Sequence, residues 1–280
     1  MSKNDNIMFP DGWEDVQTFE WMKLLAFHYV MLLEGKHIYL ESVLRAWTLF
    51  ILEHRGFRIR GVDDWLLVDR MSKSLTWVYA LNDKGEIELT CDTTVNLLPV
   101  YKALVGPASH GADLTFGEFR HAVTAMNAYT EMHDPADLLA LCAILYRKQY
   151  KDRDGSLRRN KFRVWRMGEY LSDAGQIPPS LRYGIYVQFA YFCKYLQTGT
   201  FVIDGSEVSF APLFEKGAAQ TDASVQDLGL SGIRLSVAES GVFGDAEGTD
   251  DAPLLQVMLK MLADKQKADI LMKNIKNKQQ

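Results

Sequence analysis

Apolar residues return every three or four positions over much of the chain, the periodicity of helices with one buried face. Over 15–34, Phe19, Met22, Leu25, Ala26, Tyr29 and Leu33 keep this spacing, and Gly35 supplies a stop. Over 39–54, Leu40, Val43, Leu44, Trp47 and Ile51 share a face, and Arg55-Gly56 ends it. Few residues join the two stretches, so an antiparallel helical hairpin is expected. A short helix is expected over 95–104, interrupted by Pro99, which has no N–H to donate. Thr115-Phe116-Gly117-Glu118 is a capping-box pattern that opens a helix to about residue 130. Asp134-Pro135-Ala136-Asp137 opens the next, with Asp as N-cap and Pro at the first helical position. Its apolar run over 138–145 leaves almost no polar face, which predicts a central helix buried on most sides. Further helices are expected around 161–171 and over 181–196, the second rich in aromatics and ended by Gly199.

Two stretches change period. Over 57–91, Trp65-Leu66-Leu67-Val68 and 75–80 are β-like, and 86–90 alternates polar and apolar. A turn at Asn82-Asp83-Lys84-Gly85 makes this a small antiparallel meander. Over 200–210, Asp204-Gly205 sits between two strand-like runs and predicts a hairpin. Residues 151–160 are expected to form a polar loop. The fold class is therefore mainly α (α+β), a helical domain over 1–210 with two small antiparallel β-hairpin inserts. Residues 211–252 carry six glycines, eight acids and two bases, and read as an acidic connector with one short helix near 230–239. Pro253 opens a last amphipathic helix over 253–280. Leu254, Met258, Met261, Lys265, Ala268, Met272 and Ile275 follow a heptad-like stripe, flawed by Lys265.

Charge sharpens the picture. The net charge is −5, but residues 147–166 hold nine bases against two acids, net +7, which leaves −12 for the rest. The bases are Arg147, Lys148, Lys151, Arg153, Arg158, Arg159, Lys161, Arg163 and Arg166. One basic segment in an acidic body points to a docking surface. Three readings stay open for it. It contacts phosphate, with Tyr150, Phe162 and Trp165 as stacking partners. It docks on an acidic protein. Or it is a solvated face that pairs with the chain's own acidic connector. The acidic overall balance weighs against a nucleic-acid domain, which is kept as the alternative function. The terminal stripe Leu254, Met258, Met261, Met272 and Ile275 is a candidate partner helix, equally able to pack on its own domain or to dock in trans.

No residue set points to catalysis. The six histidines make no HxH or HExxH, and no phosphate-cradling glycine motif or nucleophile elbow occurs. Asp152-Arg153-Asp154-Gly155 lacks the ligands of a calcium loop. The acid pairs Asp63-Asp64 and Glu86/Glu88 read as turn and strand-surface residues. Cys91, Cys142 and Cys193 form no CxxC pair and read as buried free thiols in a reducing compartment. No metal, cofactor or catalytic residue is assigned. The N-terminus shows no signal-peptide pattern, and the longest apolar run is too short for a membrane span. The expected setting is the cytoplasm of a bacterial host, or a virion, with no membrane partner.

One resemblance adds to this. Thr93-Thr94-Val95-Asn96-Leu97-Leu98-Pro99, Gly106-Pro107, Leu114-Thr115-Phe116-Gly117-Glu118-Phe119-Arg120 and the run 138–147 ending in LCAILYR together resemble uncharacterised phage and prophage virion-module proteins of gut bacteria. The likeness covers roughly residues 90–150, with an echo in Ala238-Glu239-Ser240-Gly241-Val242-Phe243-Gly244. It implies a non-enzymatic structural or tail-assembly protein. Its partners would be other virion or assembly proteins, with a homo-oligomer open, and it supplies no catalytic residues.

Overall fold

A computed structural model describes residues 8–34, 39–151, 155, 157–214 and 229–278. The molecule is mainly helical, with small antiparallel sheets. Helices α1 (Thr18–Glu34) and α2 (Leu40–His54) pack together. The α2 stripe turns inward at Val43, Trp47 and Ile51, but α1 buries Trp21, Leu24, Leu25 and His28, while Phe19, Ala26 and Leu33 of its expected stripe are exposed. Trp21 and Trp47 from these helices are fully buried; Trp13 meets Trp21 edge-on at 5.2 Å, Trp77 meets Trp47 at 6.2 Å, and Trp13 and Trp77 meet each other at 4.9 Å. Edge-to-face contact suits the ring quadrupoles, so the four indoles lock one end of the core.

The expected meander is half right. Trp65-Leu66-Leu67-Val68 is not a strand but lies in helix α3 (Val62–Ser74). Asp63 and Asp64 occupy its first turn, and the Asp64 carboxylate accepts the Arg60 N–H at 2.7 Å. Only Val68 of that apolar run is buried, while Trp65 and Leu66 face solvent. A short apolar run has no period of its own, and tertiary packing chose the helix. Strands β1 (Tyr79–Leu81) and β2 (Ile87–Leu89) do form the hairpin around Asn82, whose side-chain oxygen accepts the Lys84 and Glu86 N–H groups.

The helix expected over 95–104 is also absent. The Asn96 side chain takes the Leu98 N–H, and Pro99 leads into β3 (Val100–Tyr101) and β4 (Leu104–Val105). Helix α4 (Phe116–Met132) carries the full capping box, with Thr115 and Glu118 satisfying each other's backbone N–H. Helix α5 (Pro135–Leu145) is capped by Asp134 and is buried from Leu141 to Leu145.

From α5 the chain passes at once into β5 (Arg147–Lys151), then β6 (Leu157–Arg159). The loop expected over 151–160 is thus partly a strand pair, and the sheet order is β3-β4-β5-β6. The pairing of β5 on β4 is non-local, which a reading of short polar runs does not see.

A 3-10 turn at Val164–Arg166 leads to α6 (Met167–Ala174), and α7 (Pro179–Thr198) is the long aromatic helix. The hairpin β7 (Thr200–Ile203) and β8 (Ser206–Ser209) turns at Asp204 and Gly205, both with positive φ, the type I′ signature. The stretch 211–252, expected as a loose connector with one short helix near 230–239, has that helix as α9 (Gly229–Glu239) and, among its described residues, holds α8 (Ala211–Phe214) and α10 (Ala246–Asp251) as well. Val237, Thr249 and Ala252 are buried, so this acidic stretch packs on the body. Helix α11 (Leu254–Lys278) starts inside the core, its first N–H donated to the Leu114 carbonyl at 2.8 Å.

Candidate functional site

The basic segment does not form one surface. Arg147 and Arg159, from β5 and β6 of the sheet, turn inward onto Glu118 of α4. Glu118 is buried, and its two oxygens divide between the guanidinium groups: Oε1 to Arg147, and Oε2 to Arg159 at 3.0 Å. The remaining donors are also used. Arg147 gives Nε to the Asn160 carbonyl at 2.7 Å and Nη1 to Ile144, and Arg159 reaches the Leu145 carbonyl at 2.7 Å. Burial pulls the Arg147 pKa down to about 10, against the pull of Glu118, so it stays charged at neutral pH. Arg147 also faces the Phe162 ring at 5.6 Å. These two arginines, expected as contacts to an anionic partner, are thus committed to tying α4 to the end of α5 and the β5–β6 pair.

The other cations are spread along the outside. Lys148 pairs with Asp173 at 2.7 Å and Arg166 with Glu169 at 2.9 Å. Arg163 forks onto both oxygens of Asp251, with Nη2 at 2.7 Å, and Lys161 stands 3.8 Å from the same carboxylate. This contact holds the Asp251 carboxyl below its ordinary range, the bond from Arg163 being the largest cause. Lys151 and Arg158 are exposed in β5 and β6, and Tyr150 is paired with Arg158 in the register. Arg153 lies outside the described residues. Among the three readings of the segment, pairing with the chain's own acidic stretch is the geometry seen at Lys161 and Arg163.

Where α10 meets the segment there is a cleft of about 240 Å³, lined by Gly117, His121, Phe162, Arg163, Trp165, Arg234 and Asp250 among others. Asp250 pairs through one oxygen with both Arg120 (3.3 Å) and Arg234 (2.7 Å). Gly117 makes the approach feasible: a Cβ there would lie 2.9 Å from the Asp250 Cβ. His121 is held neutral at neutral pH, its pKa lowered by burial first and by Arg120 next. The Trp165 ring is 75% exposed at the rim, with the Arg163 guanidinium 5.7 Å from it. Arg163 and Arg234, the cations lining this cleft, both have carboxylate partners, so it offers no unpaired cation to an anionic ligand.

The terminal stripe splits as sharply. Leu254 and Met258 are buried, with Val257 between them, and Met261 is half-buried against the body. Lys265, the flaw in the stripe, donates to the Pro212 carbonyl, the outermost hydrogen bond from α11 to another element among the described residues. Beyond it Met272 and Ile275, at 61% and 52%, stand exposed beside Leu271 and Ile270. The heptad spacing alone does not reveal this whole row, because Ile270 and Leu271 fall outside it.

The three cysteines are free and buried, and burial raises each thiol far above its ordinary pKa, so none is a nucleophile as it stands. Among the described residues no group of three or more His, Cys, Asp or Glu is placed to hold a metal ion. Among them, too, no helix is long and apolar enough to cross a membrane. No family model, no curated protein and no solved structure matches the chain.

Proposed function

We propose that this protein is a non-enzymatic structural or assembly component that acts through protein–protein contacts, with the outer half of α11 as its contact element. The observation that carries this is the uncovered row Leu271, Met272 and Ile275 on a helix whose inner half is anchored in the core. A rigidly rooted helix that ends in exposed apolar residues is built for helix-in-groove docking. The finer reading, a phage-related tail or tail-assembly protein, rests on the resemblance over residues 90–150. Co-expression with candidate partners tests it: a chain ending at residue 263 should keep its melting temperature and lose the complex. A truncated chain that still assembles overturns the reading.

The nucleic-acid alternative draws its support from exposed Trp165 and Tyr150 near the basic segment. Among the described residues at least six of the bases already sit in ion pairs with carboxylates, which favours the protein-contact reading. Binding to single-stranded DNA that weakens steeply with salt and is lost in Arg158→Ala would reverse that preference.

A further inference from the structure

We propose that the outer half of α11 docks on the acidic α9–α10 corner of a second copy of this chain. The inference rests on α11 being a contact element and adds what it contacts. The stripe of α11 runs at spacings of four and three from Leu254 to Ile275. Its inner positions are covered by α4, α8 and α9, and its outer positions are bare. The same face therefore continues from a buried contact into an open one.

Charge selects the partner surface. Residues 263–278 hold five lysines and two aspartates, net +3, so the rest of the chain, at −5 overall, is −8. Lys267 and Lys273 are exposed beside the apolar row. A complementary surface must be acidic and partly apolar. The stretch from Leu235 to Asp251 has five acids and no base. Leu235 and Val242 are 49% and 60% exposed there, and Glu239, Asp245 and Glu247 face solvent. Leu235 and Glu239, one helical turn apart, lie on one face of α9. Both surfaces are open within one molecule, so they meet only between molecules. Because they differ, the contact either closes between copies into a ring, of which a reciprocal dimer is the smallest, or runs on into a filament.

Sedimentation velocity of the full chain, over two decades of concentration at low and high salt, tests this. The expected result is mass that rises above the monomer with concentration and falls with salt. Lys267→Glu with Lys273→Glu should return the protein to a monomer, as should Glu239→Lys with Glu247→Lys. Mixing the two charge-reversed proteins should restore association. Leu271→Ser with Met272→Ser, at exposed positions that cannot disturb the core, should also give a monomer. A monomer at every concentration overturns the proposal, and so does a closed dimer insensitive to Glu239→Lys. Binding to anionic lipid vesicles without self-association overturns it too. If the chain stays monomeric yet truncation at residue 263 still abolishes a complex with another protein, the contact role of α11 stands and the second copy falls.

Discussion

Glu118 does two jobs with one carboxylate. It closes the capping box of α4 through the Thr115 N–H and is the shared ion-pair partner of two buried arginines, of which Arg159 also reaches Asp113 at 3.4 Å. The two roles differ in size. Losing a cap side chain costs about 1 kcal/mol, whereas removing one partner of a buried ion pair costs about 3–5 kcal/mol, because the remaining charge has no solvent. Glu118→Gln should therefore destabilise far more than Thr115→Ala, read by urea denaturation at neutral pH. Equal losses would mean that the arginines find other partners. His28 offers a second residue-scale test. It is buried, stacked on Tyr183 at 5.3 Å, with Nδ1 3.2 Å from the Tyr79 hydroxyl and Nε2 unpartnered. Burial lowers its pKa to about 4 from 6.5, so it stays neutral where the unfolded chain takes up a proton. Stability is full above the unfolded value and falls as pH drops through the window between the two, by about 3 kcal/mol in all. In His28→Leu this part of the acid loss should vanish, so that the gap between variant and parent changes between pH 7 and pH 4.5. A constant gap would show that His28 does not carry it.

At the scale of elements, legibility follows locality. The starts of α4 and α5 are readable because Thr115, Glu118, Asp134 and Pro135 act within one turn of themselves. The β7–β8 turn is readable because Asp204-Gly205 takes positive φ at both positions. Helix α3 is not, since its apolar run is mostly solvent-facing and only Val68 of that run reaches the core. Nor are β5 and β6, since β5 finds its partner far back along the chain in β4, and β6 pairs on the other edge of that same β5. The candidate site shows the same division. The basic segment is visible as composition, but its partners Glu118, Asp173 and Asp251 are brought in by the fold. Helix α11 turns this into a prediction. Among the described side chains, ending the chain at residue 263 removes only exposed or half-exposed positions, and it should leave the melting temperature nearly unchanged. Ending it at residue 253 removes Leu254, Val257 and Met258, all buried, at about 1.5–3 kcal/mol each. That sum is comparable to the whole stability of a typical domain, so the shorter chain should not fold. Circular dichroism of both truncations separates the cases, and a folded chain ending at 253 would sink the argument.

Across the whole molecule, the acidic stretch around α10 and the basic segment answer one another. Asp250 holds Arg120 and Arg234, Asp251 holds Lys161 and Arg163, and Gly117 leaves room for the approach. These pairs are part-exposed, so each contributes little to stability, and their larger effect is on what the surface presents. With α10 in place the cations face carboxylates; without those charges the same cations face solvent. Asp250→Asn with Asp251→Asn removes two negative charges at one spot and should uncover a polyanion-binding patch. On a heparin column the double variant should elute at clearly higher salt than the parent, with a steep salt dependence. Gly117→Ala should shift elution the same way without altering any charge, because it pushes Asp250 away from its arginines. Agreement of the two variants would assign the effect to the α10 contact itself. If the double variant moves and Gly117→Ala does not, net charge alone explains the shift, and if neither moves, the segment's cations are held by partners other than α10.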